Sequence, residues 1–191
     1  MLDVVAHLLE TRAPWDIRAA DVAAGSGTTQ PNFYSHFRNI QDAIYARVEL
    51  AWLMFPDAAL AQLVRLDWHD DGEATPPFVI VRMAIEFWNK HGPVLRVVHR
   101  LHPDDHPEFL TLRHRAQSQF LASCEARIRS AQVGGHIGAD VDALLAANCA
   151  VVFLDNAASV YDPMQNIGGY PPQAILHTVG AIFRSMLGGR Y

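Results

Sequence analysis

The sequence predicts an all-α chain, with a small three-helix N-terminal head followed by a larger helical C-terminal body. Three observations carry this reading. Apolar residues recur at i, i+3, i+4 and i+7 through most segments, no stretch alternates with the period of a strand, and Pro and Gly punctuate the periodic runs where helices start and stop. Of 191 residues, 50% are hydrophobic and 18% charged, enough apolar surface for a sizeable core and too much for disorder along most of the length.

Leu2, Val5, Ala6 and Leu9 form the first helical stripe, and Pro14 ends it. A second short helix is expected over residues 18–24, stopped at Gly25, and a third from near Thr29 with Pro31 in its first turn, where a missing N–H breaks no bond. Gly27 lies in the turn between them. Ile40, Ala43, Ile44, Val48, Ala51, Trp52 and Phe55 continue at helical spacing until Pro56. Asp57 can cap another helix through Trp68, and residues 69–77, acidic and ended by a Pro pair, read as a flexible loop. Residues 78–91 should form a helix stopped by Gly92-Pro93, with a shorter one to about His102 and a long one over 108–132, ended by Gly134-Gly135.

From Asp140 or Val141 to Tyr161 the sequence is apolar nearly all round (Val141, Leu144, Leu145, Val151, Val152, Phe153, Leu154), which suits a helix covered on both faces. Residues 163–171 read as a loop. Residues 172–187 read as a final helix with two stripes, one through Ile175, Val179, Ile182 and Met186, the other through Leu176, Phe183 and Leu187. Together they are wide enough to meet a core and a partner.

Fifteen Lys and Arg against twenty Asp and Glu leave a net charge of −5. No global positive field draws in a polyanion, so any nucleic-acid binding must come from local geometry. Cys124 and Cys149 are the only cysteines, too few for a disulfide framework or a thiolate zinc site and suited to a reducing compartment. A cytoplasmic location is expected. The N-terminus lacks the basic flank of an export signal, and no run approaches the ~20 apolar residues of a membrane span.

Two short helices joined through a Gly turn, the second carrying small polar residues and then aromatics, are what a helix-turn-helix requires. The polar positions reach base edges in the major groove while the aromatics fix the helix against its neighbours. Residues 21–37, Asp-Val-Ala-Ala-Gly-Ser-Gly-Thr-Thr-Gln-Pro-Asn-Phe-Tyr-Ser-His-Phe, fit that demand.

This segment resembles the DNA-binding signature of the TetR family of bacterial one-component transcriptional regulators. Asp21-Val22-Ala23 before the turn, Gly27 within it, and Phe33-Tyr34-x-His36-Phe37 after it carry the resemblance. It covers roughly residues 2–48, and the helical remainder has the length and shape the family implies. Pro31 and the stretch 156–161 look most like the ethionamide-resistance regulator group. Position by position, the resemblance implies base or nearby phosphate contact for Thr28, Thr29, Gln30 and Asn32, and phosphate contact for Tyr34 and His36. The residue types permit this, because Gln and Asn amides pair with an adenine edge and hydroxyls approach bases or phosphates. Thr29 also suits a helix N-cap, Tyr34 and His36 have ordinary packing as their alternative, and Phe33 and Phe37 read as core.

The head departs from the family's pattern in three places. Ile40 stands where a phosphate-binding Lys is common, Arg18 where a capping Thr is usual, and the usual basic arm ahead of the first helix is missing. The first fifty residues hold four cations (Arg12, Arg18, Arg38, Arg47) against six anions (Asp3, Glu10, Asp16, Asp21, Asp42, Glu49). Each absent phosphate contact lowers affinity and reduces its salt slope by roughly 0.9. Modest DNA affinity is therefore expected unless the authentic start lies upstream of Met1.

A regulator of this type needs a cavity whose occupancy changes the separation of two DNA-binding heads. The large side chains Trp52, Phe55, Trp68, Met83, Phe87, Trp88, Phe120, Phe153 and Tyr161 are candidates to line it, against plain core packing as the alternative. Asn156 is the best polar candidate, because an amide buried in an apolar helix demands a partner. The run from His99 to Glu108 places imidazoles near carboxylates, but Pro103 and Pro107 break any single helix face and a solvated corner is the better reading. No metal site and no cofactor is expected. Gly25-Ser26-Gly27 lacks the spacing of a nucleophile elbow and no strand precedes it, so an enzyme is not expected either.

The sequence thus implies a helix-turn-helix DNA-binding domain over residues 1–47 and a ligand-binding and dimerisation domain over 48–191. The expected partners are a palindromic double-stranded operator, a small apolar effector and a second copy of the chain, with no membrane. Helices 141–161 and 172–187 are expected to pair with their copies. The alternative is a ligand-binding or metal-sensing helical module with a weakened DNA-binding head.

Overall fold

The computed structural model describes residues 1–55, 57–64, 75–100 and 107–189. Among them every regular element is a helix: α1 (Leu2–Thr11), a 3-10 turn (Pro14–Asp16), α2 (Ala19–Gly25), α3 (Gln30–His36), α4 (Ile40–Leu53), α5 (Asp57–Val64), α6 (Pro76–Arg100), α7 (Pro107–Val133), α8 (Ala143–Ser159), α9 (Tyr161–Asn166) and α10 (Pro172–Met186). No helix is long and apolar enough to cross a membrane among the described residues. Two compact units result, one of Met1–Met54 with His91–Ala116, the other of Phe55–Lys90 with Gln117–Tyr191.

In the first unit α1 packs on α4 and α2 on α3. The core there holds Val5, Leu9, Val22, Phe33, Ile44 and Val48, joined by Val94, Leu95, Phe109 and Leu112. Asn39 caps α4, its Oδ1 accepting the Asp42 N–H at 2.8 Å, while Asp42 accepts the Arg38 N–H at 3.1 Å and Arg38 Nη2 at 3.2 Å. Those bonds hold the Asp42 carboxyl below its ordinary value of 3.8, the Arg38 side chain being the largest cause. On the outer side of α4, Tyr45 meets Phe109 edge-on at 5.4 Å and Glu49 pairs with Arg115.

The second unit is built on α6, α7, α8 and α10. Phe78 and Phe183 are buried, and the close approach of α10 needs Gly180, where a Cβ would lie 2.3 Å from the Phe78 ring. Asp142 caps α8 by accepting the Leu145 N–H at 2.8 Å.

The structure corrects three expectations. The helix expected to stop at Gly92-Pro93 runs on, and α6 is continuous through Pro93 to Arg100. An interior Pro costs about 3 kcal/mol, but Val94, Leu95 and Val97, all at most 2% exposed, recover about 1.5–3 kcal/mol each by staying buried. Residues 163–171 are not wholly a loop, since Pro163 sits in the first turn of α9, where its missing N–H would be unbonded anyway. Pro76 and Pro77 likewise open α6 rather than close a loop, with the Thr75 carbonyl accepting the N–H of Phe78 and of Val79. Trp68, residues 69–74 and residues 101–106 of the His99–Glu108 run lie outside the described residues.

The helix expected to be covered on both faces shows one bare face in the single chain. α8 packs on α10 through one side, while Leu145 and Val152, one stripe at a seven-residue spacing, are 65% and 60% exposed.

Candidate nucleic-acid interface and effector-binding residues

The turn between α2 and α3 follows from its residues. Gly27 has φ +64, a left-handed conformation that glycine adopts without penalty. It closes α2 with paired bonds, Gly27 N–H to the Ala24 carbonyl at 3.1 Å and Thr28 N–H to the Ala23 carbonyl at 2.9 Å, the Schellman ending that reverses a chain sharply. Arg18 caps nothing with its side chain, and Asp21 compensates by accepting the Arg18 N–H at 2.9 Å. That bond, followed by the charge of Arg12 at 3.3 Å, holds the Asp21 carboxyl below its ordinary 3.8.

α3 then presents two different faces. Phe33 is fully buried and meets Tyr34 edge-on and Phe37 at a tilt, both at 5.4 Å between ring centroids. Thr29, Gln30, Asn32, Tyr34, Ser35 and His36 are exposed and Thr28 is half-buried. Thr29 is the N-cap, its Oγ1 accepting the Asn32 N–H at 3.4 Å. The Asn32 side chain is oriented as well, since its Nδ2 donates to Thr28 Oγ1 at 2.7 Å and leaves Oδ1 and the second N–H for a partner. Ser35, which the sequence reading did not single out, donates its hydroxyl to the Asn32 carbonyl at 2.7 Å. All six sequence-derived positions therefore cluster on or beside one short helix whose reverse side is fixed in the core.

The candidate effector residues divide. In the second unit Phe55 meets Phe87 edge-on at 5.2 Å and Phe120 at 5.6 Å, a cluster able to flank an apolar chain. Trp88 is buried and its indole N–H donates to Asp155 Oδ1 at 3.0 Å. The Trp88–Asp155 pair spans 67 positions, so no local pattern could announce it. Met83, Phe153 and Tyr161 are half-buried. Trp52 is buried in the first unit. Asn156 is exposed, contrary to the buried amide that made it attractive, because it falls at the end of the bare Leu145–Val152 stripe. A shallow groove of about 250 Å³ between α5 and α7 is lined by Leu63, Val64, Ser123, Ala126, Arg127 and Ser130, none of them among the candidates. No cluster of three or more His, Cys, Asp or Glu side chains capable of holding a metal forms among the described residues.

A family model described as "Tetracyclin repressor-like, C-terminal domain" matches residues 65–170, more than half of the chain. No curated protein sequence matches. The fold is shared with the fatty acid degradation regulator FadR of Bacillus halodurans (TM-score 0.67, 14% identity, covering 95% of this chain and 91% of that one). It is shared with FadR of Bacillus subtilis, solved in complex with stearoyl-CoA (TM-score 0.69, 11% identity, 95% of each chain). PfmR of Thermus thermophilus, a TetR family transcriptional regulator, has it too (TM-score 0.56, 15% identity, 100% of this chain and 98% of that one).

Proposed function

The chain belongs to the tetracyclin repressor-like (TetR) family of transcriptional regulators, and from that premise we propose that it is a cytoplasmic homodimeric repressor, released from a palindromic operator by a small apolar effector. The observation that carries the reading is the two-sided α3. Its core side is anchored by Phe33, while Gln30 and a pre-oriented Asn32 face outward between hydroxyls that can approach phosphates. Residues 1–47 act as the DNA-binding domain, with Thr28, Thr29, Gln30 and Asn32 at base edges or adjacent phosphates and Tyr34 and His36 on the backbone.

Residues 48–191 carry effector binding and dimerisation. The bare stripe of α8, beside α10, supports a two-fold interface in which each helix meets its copy. Two recognition helices then face successive half-sites of one duplex. The edge-on cluster of Phe55, Phe87 and Phe120 supports an apolar effector, and the acyl chain of the stearoyl-CoA in the Bacillus subtilis FadR structure is an apolar group of that kind. Release follows if the effector binds more tightly to a conformation whose heads are wrongly spaced, and operator DNA must then weaken effector binding by the same factor.

The test is selection of genomic fragments on the purified dimer, followed by fluorescence anisotropy of the recovered duplex across salt. A palindrome bound with a steep salt slope supports the reading. If no fragment is retained even at low ionic strength, the acidic head and Ile40 favour the ligand-binding module, and lipophile or zinc binding without DNA binding would establish that alternative.

A further inference from the structure

Arg47 is 8% exposed in the middle of α4, among Ala43, Ile44, Val48, Ala51 and Trp52. Its Nε and Nη1 are buried and meet no acceptor among the described residues. Other arginines of the same unit are paired and lie nearer solvent, Arg12 with Asp21, Arg38 with Asp42 and Arg115 with Glu49. The last two pairs engage both carboxylates that α4 carries, and neither accepts from the buried Nε or Nη1 of Arg47. A guanidinium cannot shed its proton to escape burial, and a buried charge without a counter-ion is among the costliest arrangements a core can hold.

We infer that Arg47 is the seat of an anion, and that the effector carries a carboxylate or phosphate that pairs with it. The planar guanidinium fork suits either oxyanion. Because Nε and Nη1 are buried in the described conformation, an anion reaches both of them only when the side chains around α4 part. That opened state gains a charge pair the closed one lacks, so the ligand shifts the population toward it. α4 begins shortly beyond the recognition helix, at Ile40, so its displacement bears directly on the head. This last step rests on the regulator reading above, whereas the anion site itself does not.

Thermal unfolding of the full-length chain tests the site, using octanoate, octyl phosphate and 1-octanol at matched ionic strength on wild type, Arg47→Met and Arg47→Lys. Without additive, Arg47→Met should melt higher than wild type by at least roughly 2–4 °C, since an unbranched apolar side chain replaces an uncompensated charge. Octanoate or octyl phosphate should raise the wild-type midpoint, with at least tenfold weaker apparent affinity for Arg47→Met and partial recovery in Arg47→Lys, which keeps the charge without the fork. Octanol should not distinguish the three proteins. Whichever anion acts separates a fatty-acid-like effector from a phosphorylated one. The inference is overturned if neither anion shifts the wild type, if wild type and Arg47→Met respond alike, or if Arg47→Met melts lower without additive. Operator retention measured on the same samples separates failure of this site from failure of the regulator reading.

Discussion

Replacing Val152 by Asp should split the proposed dimer while leaving each chain folded. Val152 is 60% exposed and Leu145 65% exposed in the single chain, so an acid at position 152 displaces nothing from the core of its own subunit. In a two-fold interface through α8, each side chain is covered twice. Fully burying a Val is worth about 1.5–3 kcal/mol. Covering the exposed part is therefore worth roughly 1–2 kcal/mol per subunit and 2–4 kcal/mol per dimer, before any cost of desolvating two carboxylates. At 1.4 kcal/mol per factor of ten, the dimer should weaken by roughly 30- to 700-fold as a minimum. Sedimentation equilibrium over a wide concentration range reads this directly, with circular dichroism to confirm unchanged helicity. Val133→Asp serves as the control, since Val133 is 92% exposed at the end of α7 and lies off the stripe. A dissociation constant for Val152→Asp within threefold of the control would refute the argument, because the stripe would then face water in the assembly as well.

On the recognition helix, Asn32→Ala should cost about 1–3 kcal/mol of operator binding and relax discrimination at one base pair without changing the salt slope; anisotropy titrations on single-base variants check it. Thr28→Val keeps the volume but frees the Asn32 amide held at 2.7 Å, so a smaller loss at the same base pair is expected. Gly180→Ala pushes a methyl to 2.3 Å from Phe78, and the overpacking cost of about 1–3 kcal/mol should at least cancel the ~1 kcal/mol that Ala gains in a helix; a clear rise in melting temperature would contradict it. The carboxyls of Asp21 and Asp42 both lie below their ordinary 3.8 in the folded head. Their stabilisation is present above that value and lost as pH falls through the depressed folded ones, so Asp42→Asn should flatten the loss of head structure, followed by NMR, below pH 3.8. Burial pushes the Cys124 thiol up to about 12, so iodoacetamide at about pH 8 should leave it unmodified in the native chain and alkylate it only in denaturant, as read by mass spectrometry.

What could be read without coordinates is what short-range chemistry determines. Gly27 and Thr29 declare the turn and the start of α3 because a left-handed residue and a capping hydroxyl have few alternatives, and the six candidate DNA-contact positions lie on or beside that short helix. Where distant packing overrides local preference, the sequence misleads. Gly92-Pro93 carries every mark of a helix stop, and only the burial of Val94, Leu95 and Val97 shows why α6 continues. Asn156 looked like a buried amide because its neighbours are apolar, yet those neighbours include the residues that α8 leaves bare. Arg47 was legible in principle, standing seven residues after Ile40 and four after Ala43 on the apolar stripe of its helix, a place where a charged residue needs a reason.

In the regulator proposed above, α4 offers a route by which effector sensing reaches the DNA without touching α3. At its start the Asn39 cap and the Arg38–Asp42 pair fix the exit from α3. Further along, Tyr45 and Glu49 join it to α7 through Phe109 and Arg115. Between Tyr45 and Glu49 lies Arg47, whose buried Nε and Nη1 meet no acceptor among the described residues. A helix tied by polar bonds at Asn39 and Asp42 and again through Tyr45 and Glu49, with unsatisfied donors on Arg47 between the latter two, offers a place where a ligand can gain more than the closed structure gives. The distinguishing consequence is kinetic. If release proceeds through Arg47, Arg47→Met should slow effector-driven dissociation of the operator complex in stopped-flow anisotropy, while dissociation driven by added salt keeps its wild-type rate.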